Sequence, residues 1–135
     1  MKLLFDTNIL LDILLNRKDY VDQSLESMEK ALNNGDRLYM SASAFTDVYY
    51  ILKKQLKSGE MALKGIKRLA RIFQFAKVDE DIIILATCSK MLDFEDAVVD
   101  AVAYRIKADY IITRNTDDFK ESIVKAISPS DFIGN

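Results

Sequence analysis

The sequence contains no histidine. That absence removes the Ser-His and Cys-His nucleophile pairs, the imidazole general base and every His-bearing zinc site. Cys88 is the only cysteine, so neither an internal disulfide nor a Cys cluster for zinc or iron–sulfur can form. Four glycines and one proline leave few places for a loop motif. No G-x-G-x-x-G follows an expected strand and no G-x-x-x-x-G-K-[ST] occurs, which excludes dinucleotide-binding and P-loop chemistry. Long apolar runs are missing too. Asp6, Asn8 and Asp12 interrupt the apolar start of the chain, so it is not expected to act as a signal peptide. Elsewhere the longest comparable run, Ile82-Ile83-Ile84-Leu85-Ala86, is far short of the ~20 residues of a membrane span. With the lone thiol, this leads us to expect a soluble, cytoplasmic protein with no membrane contact. An excess of positive charge is also lacking. The 19 Lys+Arg and 21 Asp+Glu leave a formal net charge of −2, so any nucleic acid must be held by local patches.

What is present suffices for a core: 50% of the 135 residues are hydrophobic and 30% charged. No repeat, low-complexity tract or linker divides the chain, so residues 1–135 are expected to form one domain. The apolar pattern predicts strands over residues 2–6, 37–40, 75–78, 110–113 and 124–127. Helices are predicted over 9–15 and 19–33, from Ser41 or Ser43 to about residue 56, from Ser58 to about 73, and over 81–91 and 93–107. Short strands alternating with helices predict a three-layer α/β/α sandwich with a short, mainly parallel sheet. Ligands of such sheets sit beyond the carboxyl ends of the strands. Asp6 and Asn8, Ser41 and Ser43, and Asn115, Asp117 and Asp118 all fall there.

Each acid has a plain reading when taken singly. Asp6 can cap a helix, Asp96 can sit in a helix's first turn, Asp47 can be an exposed helix acid, and Asp117 and Asp118 can cap a short helix. Asp100 interrupts Val98-Val99-Asp100-Ala101-Val102-Ala103 four residues after Asp96 and needs solvent, a partner or a cation. If Asp6, Asp96 and Asp118 share one edge, their repulsion raises their proton affinity unless a divalent cation neutralises them. Hard oxygen ligands without His or Cys suit Mg²⁺ or Mn²⁺, which can supply hydroxide without an imidazole.

Four segments in order carry a resemblance: Phe5-Asp6-Thr7-Asn8, Ser41 to Asp47, Asp93-Phe94-Glu95-Asp96-Ala97, and Ile112-Thr113-Arg114-Asn115-Thr116-Asp117-Asp118-Phe119. The set resembles the PIN domain, closest to the ribonuclease toxins of VapBC-type toxin–antitoxin pairs. The resemblance implies a PIN-like fold and divalent-metal-dependent endonucleolytic cleavage of RNA. It assigns catalysis to Asp6, Asp47, Asp96 and Asp118, with Asp6, Asp96 and Asp118 on Mg²⁺ or Mn²⁺. Asn8, Thr113 and Asn115 support them. Thr113 would hydrogen-bond a ligand or a neighbouring carboxylate. Asp47 stands where many members have Glu, and Asn115 where some have Asp. Asp100 is an extra acid where a small apolar residue is expected, a candidate substitute or supporting ligand. The resemblance also implies an antitoxin partner and a homodimer.

Lys64, Lys67, Arg68 and Arg71 recur at i, i+3, i+4 and i+7, making one positive helix face, with Lys53, Lys54 and Lys57 as a second cluster. Two readings stand: a solvated surface, or a phosphate-tracking groove for RNA. Two alternatives to the nuclease also stand. One is a PIN-like scaffold that binds RNA or protein without cutting. The other is a phosphohydrolase of the haloacid-dehalogenase type, since Leu4-Phe5-Asp6 also opens that family's nucleophile motif. Against it, the acid two residues on is Asn8, and no late Gly-Asp-x-x-x-Asp appears.

Overall fold

A computed structural model describes residues 1–135. Five strands, β1 (Lys2–Phe5), β2 (Arg37–Ser41), β3 (Gln74–Ala76), β4 (Tyr110–Ile112) and β5 (Ala126–Ile127), form one sheet in the order β3-β2-β1-β4-β5. Every pairing is parallel, so the expected mainly parallel sheet is wholly so. Leu3, Leu4 and Phe5 are all buried in the central strand because helices cover both faces, which is why β1 reads as an unbroken apolar run.

Alternation along β1 sorts its side chains between two cores. Leu3 and Phe5 enter the larger one with residues of α1 (Thr7–Leu14), α2 (Val21–Asn33), α3 (Ala42–Leu56) and α4 (Gly59–Ile72). Leu4 enters the other with Ile82 and Ala86 of α5 (Glu80–Thr87) and Ala97, Ala101 and Val102 of α6 (Phe94–Arg105). The three expected layers follow. Burial of each such Leu or Ile stabilises the fold by about 1.5–3 kcal/mol. At Gly65 a side chain would clash, because a Cβ there would lie 2.9 Å from Leu52 Cδ1 across the α3–α4 contact. Gly35 has φ +74°, the left-handed turn that takes the chain from α2 into β2.

Several element ends differ from expectation. Asp6 lies outside β1 and caps α1, which therefore starts at Thr7. The expected α5 boundary at Met91 is corrected to Thr87. The chain turns at Cys88, Ser89 Oγ accepts the Met91 N–H, and Met91 folds back into the second core. Ser41 precedes α3 but gives its backbone no side-chain bond, pairing instead with the Ser43 hydroxyl at 2.8 Å. A last helix, α7 (Pro129–Gly134), was not expected. Ser128 caps it, Pro129 starts it, and Lys30 of α2 donates to the carbonyls of Phe132, Ile133 and Asn135 at its end. A cation on the last carbonyls is the favourable partner for a helix C-terminus.

Candidate active site

The strand ends deliver Asp6 after β1, Ser41 at the end of β2 and Thr113 after β4, while the first turn of α6, capped by Asp93, carries Asp96. The N-termini of α1, α3 and α6 thus open at this edge of the sheet, and their partial positive charge offsets part of the acidity. A 3₁₀ turn over Thr116–Phe119 carries Asp118, whose N–H donates to the Asn115 carbonyl at 3.0 Å.

Asp6 is 9% exposed. Its Oδ1 accepts the Thr7 N–H at 2.8 Å and its Oδ2 accepts the Thr113 hydroxyl at 2.8 Å. Thr113 is buried, and its oxygen also accepts from Asn8 Nδ2 at 3.3 Å and the Asn115 N–H at 3.1 Å. Of its two expected roles, Thr113 therefore performs the one of holding a carboxylate. Burial pushes the Asp6 carboxyl above its ordinary pKa and the Asp118 charge adds to this, against the two hydrogen bonds and Arg114, which lower it.

Asp96 is half-buried, and no protein donor stabilises its carboxylate. Burial first, then the charges of Asp6, Asp93, Asp118 and Glu95, push its pKa from 3.8 up to about 7. Asp6, Asp96 and Asp118 therefore feel one another. Asp6, Asp47, Glu95 and Asp96 line a cleft of about 580 Å³ together with Ser41 and Ser43. Asp47 is exposed in it, while Asp118, also exposed, lies outside that lining. Tyr50 and Phe94 give the same cleft an aromatic wall.

The expectation for Asp100 needs correction. Its carboxylate is 3% exposed and accepts the N–H groups of Ile123 and Val124, each at 2.9 Å, so it anchors the approach to β5 away from the cleft. The apolar run around it signalled a partner, and the partner is backbone. Asn115 contributes its backbone to Thr113, while its residue is exposed. Lys64, Lys67, Arg68 and Arg71 are exposed on α4, take part in no ion pair, and lie outside the cleft lining. Residues 53–72 hold seven Lys and Arg against the single acid Glu60, so this hairpin is positive on a chain of net charge −2.

Sequence reasoning passed over Glu95 as a lining residue, and with it the pair of Asp12 and Arg114. Asp12 is wholly buried and accepts from Arg114 Nε at 2.7 Å, Arg114 Nη2 at 3.1 Å, Arg17 Nη1 at 3.3 Å and Ser24 Oγ at 3.1 Å. The signal was the one used for Asp100: an acid inside an apolar helix, four residues after Asn8.

Comparison with known proteins agrees with the fold. The structure matches VapBC2 from Rickettsia felis, solved bound to a promoter DNA fragment, with a TM-score of 0.76 at 14% identity over 95% of this chain and 98% of that one. It matches a toxin–antitoxin complex from Klebsiella pneumoniae with a TM-score of 0.69 at 25% identity, over 93% and 96% of the two chains. The Mycobacterium tuberculosis toxin VapC20, which cleaves the sarcin–ricin loop, matches with a TM-score of 0.67 at 12% identity, over 91% and 98%. No curated protein matches in sequence. The family model described as PIN domain matches residues 2–117, which include β1 to β4 and every acid of the cleft. A parallel five-stranded sheet with carboxylates gathered beyond its strand ends, under that match, makes this chain a member of the PIN-domain family.

Proposed function

We propose that this chain is a Mg²⁺- or Mn²⁺-dependent endoribonuclease and the toxin of a toxin–antitoxin pair. The observation that carries the reading is the placing of Asp6 and Asp96 in one cleft, where burial first and then neighbouring charges, Asp6 and Asp118 among them, push Asp96 up to about 7. As they stand, no three carboxylates are placed to ligate one ion together. Mg²⁺ does not need three: it keeps several waters and takes one or two protein carboxylates plus substrate phosphate. Asp6 and Asp96 would supply those two, and a bound cation would relieve the repulsion between them, so the donor set fits. Asp118 completes the negative field from the rim.

A bound cation of this kind supplies charge neutralisation at the phosphoryl group and an acidified water. The chain's own residues do the rest. Thr7 and Thr113 fix the rotamer of Asp6. Asp96, with no protein donor, keeps its oxygens free above pH 7 and holds a proton below it. The three helix N-termini draw a phosphate toward the acids, and the unpaired cations of α4 track the RNA backbone outside the cleft. RNA, an antitoxin and a second copy in a homodimer are the proposed partners, and the cytoplasm the proposed location. The antitoxin proposal follows the R. felis and K. pneumoniae neighbours, which are toxin–antitoxin structures. No helix is long and apolar enough to cross a membrane.

Combined Asp6→Asn and Asp96→Asn substitution abolishes Mn²⁺-dependent RNA cleavage and relieves growth arrest on expression. Unchanged cleavage in the double variant overturns the proposal. The scaffold reading draws on the shorter Asp47, the neutral Asn115 and the want of three ready ligands. Calorimetry decides it, because a scaffold binds no Mn²⁺ at millimolar metal. The phosphohydrolase alternative has less support: the family model that matches is the PIN domain, and Asn8 stands where that alternative needs a second acid.

A further inference from the structure

Asn8 and Asp12 stand four residues apart on α1 and so share one face. That face grips two consecutive residues beyond β4. Asn8 accepts the Arg114 N–H on Oδ1 at 3.5 Å and donates Nδ2 to the Thr113 hydroxyl at 3.3 Å. Asp12 receives the Arg114 guanidinium as a two-point fork at 2.7 and 3.1 Å. The guanidinium also lies over the Tyr20 ring, 3.8 Å from its centroid. A planar fork on one edge and a ring on one face leave this side chain little freedom. Its chain neighbours are the working residues: Thr113 donates to Asp6, and the Asn115 carbonyl accepts the Asp118 N–H.

We propose that Arg114 is the positioning residue of the acidic edge. Its pairing with Asp12 over Tyr20 sets where Thr113 and Asp118 stand relative to Asp6 and Asp96, and through them how tightly the edge holds a divalent cation. Only that last consequence rests on the metal-dependent reading above.

The rival explanation is a staple that only stabilises the fold. Arg17 separates the two, because it contacts the same Asp12 carboxylate from the turn between α1 and α2 and touches nothing at the cleft. In hydrogen exchange on the metal-free protein, Arg114→Ala is expected to speed exchange of the amides of residues 113–118 at least tenfold, whereas Arg17→Ala leaves them as in wild type. In calorimetry with MnCl₂ alone, Arg114→Ala raises the dissociation constant at least tenfold. Arg114→Lys, which keeps the charge but loses the fork, recovers part of that loss, and Arg17→Ala stays within twofold of wild type although it melts lower. Equal exchange at 113–118 in the two alanine variants overturns the proposal. A wild-type protein that binds no Mn²⁺ overturns the metal reading instead, and the exchange comparison still decides the role of Arg114.

Discussion

Asp6 and Asp12, the cap and an inner residue of α1, and Asp96 and Asp100 of α6 make two pairs, and within each pair the two carboxylates have opposite surroundings. Asp6 and Asp96, at the helix starts, face like charges. Asp96 has no protein donor, and Asp6 has only a backbone N–H and a hydroxyl. Asp12 and Asp100, further along, are buried and supplied: four hydrogen bonds from two arginines and a serine for Asp12, two backbone N–H groups for Asp100. Burial alone therefore does not mark a functional carboxylate. The mark is burial beside negative neighbours, as at Asp6 and Asp96, and it is strongest at Asp96, which has no donor and keeps a charge that only a proton or a cation can answer.

The largest effects should fall on the supplied pair. Asp12→Ala strands Arg114 and Arg17 without their common acceptor and should cost about 3–5 kcal/mol. Asp100→Ala leaves the Ile123 and Val124 N–H groups short of a partner and should cost about 2 kcal/mol. For a chain of this size each kcal/mol is roughly 3–5 °C of melting temperature, so thermal melts at pH 7 rank the two variants directly. If Asp100→Ala melts with wild type, the division drawn between the two pairs is broken.

Asp96 should move the other way. Its pKa rises from 3.8 unfolded to about 7 folded, so the folded state holds the proton more tightly. The stability this gives is complete below about pH 4 and is lost as pH rises through about 7. Asp96→Asn carries no such titration. Without metal it should be more stable than wild type at pH 8, by about 1 kcal/mol once solvent screening of this half-exposed group is allowed for, and equal to it near pH 4. Melts in chelator across that range check the sign. A variant that is less stable at pH 8 would show that the carboxylate has a partner.

The sequence displays these two classes unevenly. Asp6, Asp96 and Asp118 were readable because strand ends and helix starts are marked by short local patterns, and parallel topology gathers such ends at one edge. The three-layer fold was readable for the same reason: Leu3-Leu4-Phe5 is apolar on both faces. Asp100 and Asp12 carried an equal signal, an acid in an apolar helix, but a partner 24 or 102 residues away has no local pattern. The turn at Cys88 went unseen because Ile82 to Ala86 continues the apolar run, though Ile83, Ile84 and Leu85 prove exposed. Helix α7 had a readable start in Ser128-Pro129 but is short, and the lysine that closes it comes from α2.

Asp79 gives the smallest effect and the sharpest check of sign. It caps α5 by accepting the Ile82 N–H and receives Arg105 at 2.8 and 2.9 Å, and the Arg105 hydrogen bond, then that of Ile82, holds its pKa below the usual value. A depressed carboxylate stabilises the fold above its unfolded pKa, and that contribution is lost as pH falls through the folded one. Asn also caps helices well, so Asp79→Asn keeps the cap and removes the charge. The variant should melt slightly below wild type at pH 7, by less than either buried acid costs, and the gap should close as pH drops below 4. Asp96→Asn and Asp79→Asn thus differ from wild type in opposite directions at neutral pH and both converge on it in acid. Two variants displaced in the same direction at pH 7 would mean that donor supply does not divide the carboxylates of this fold.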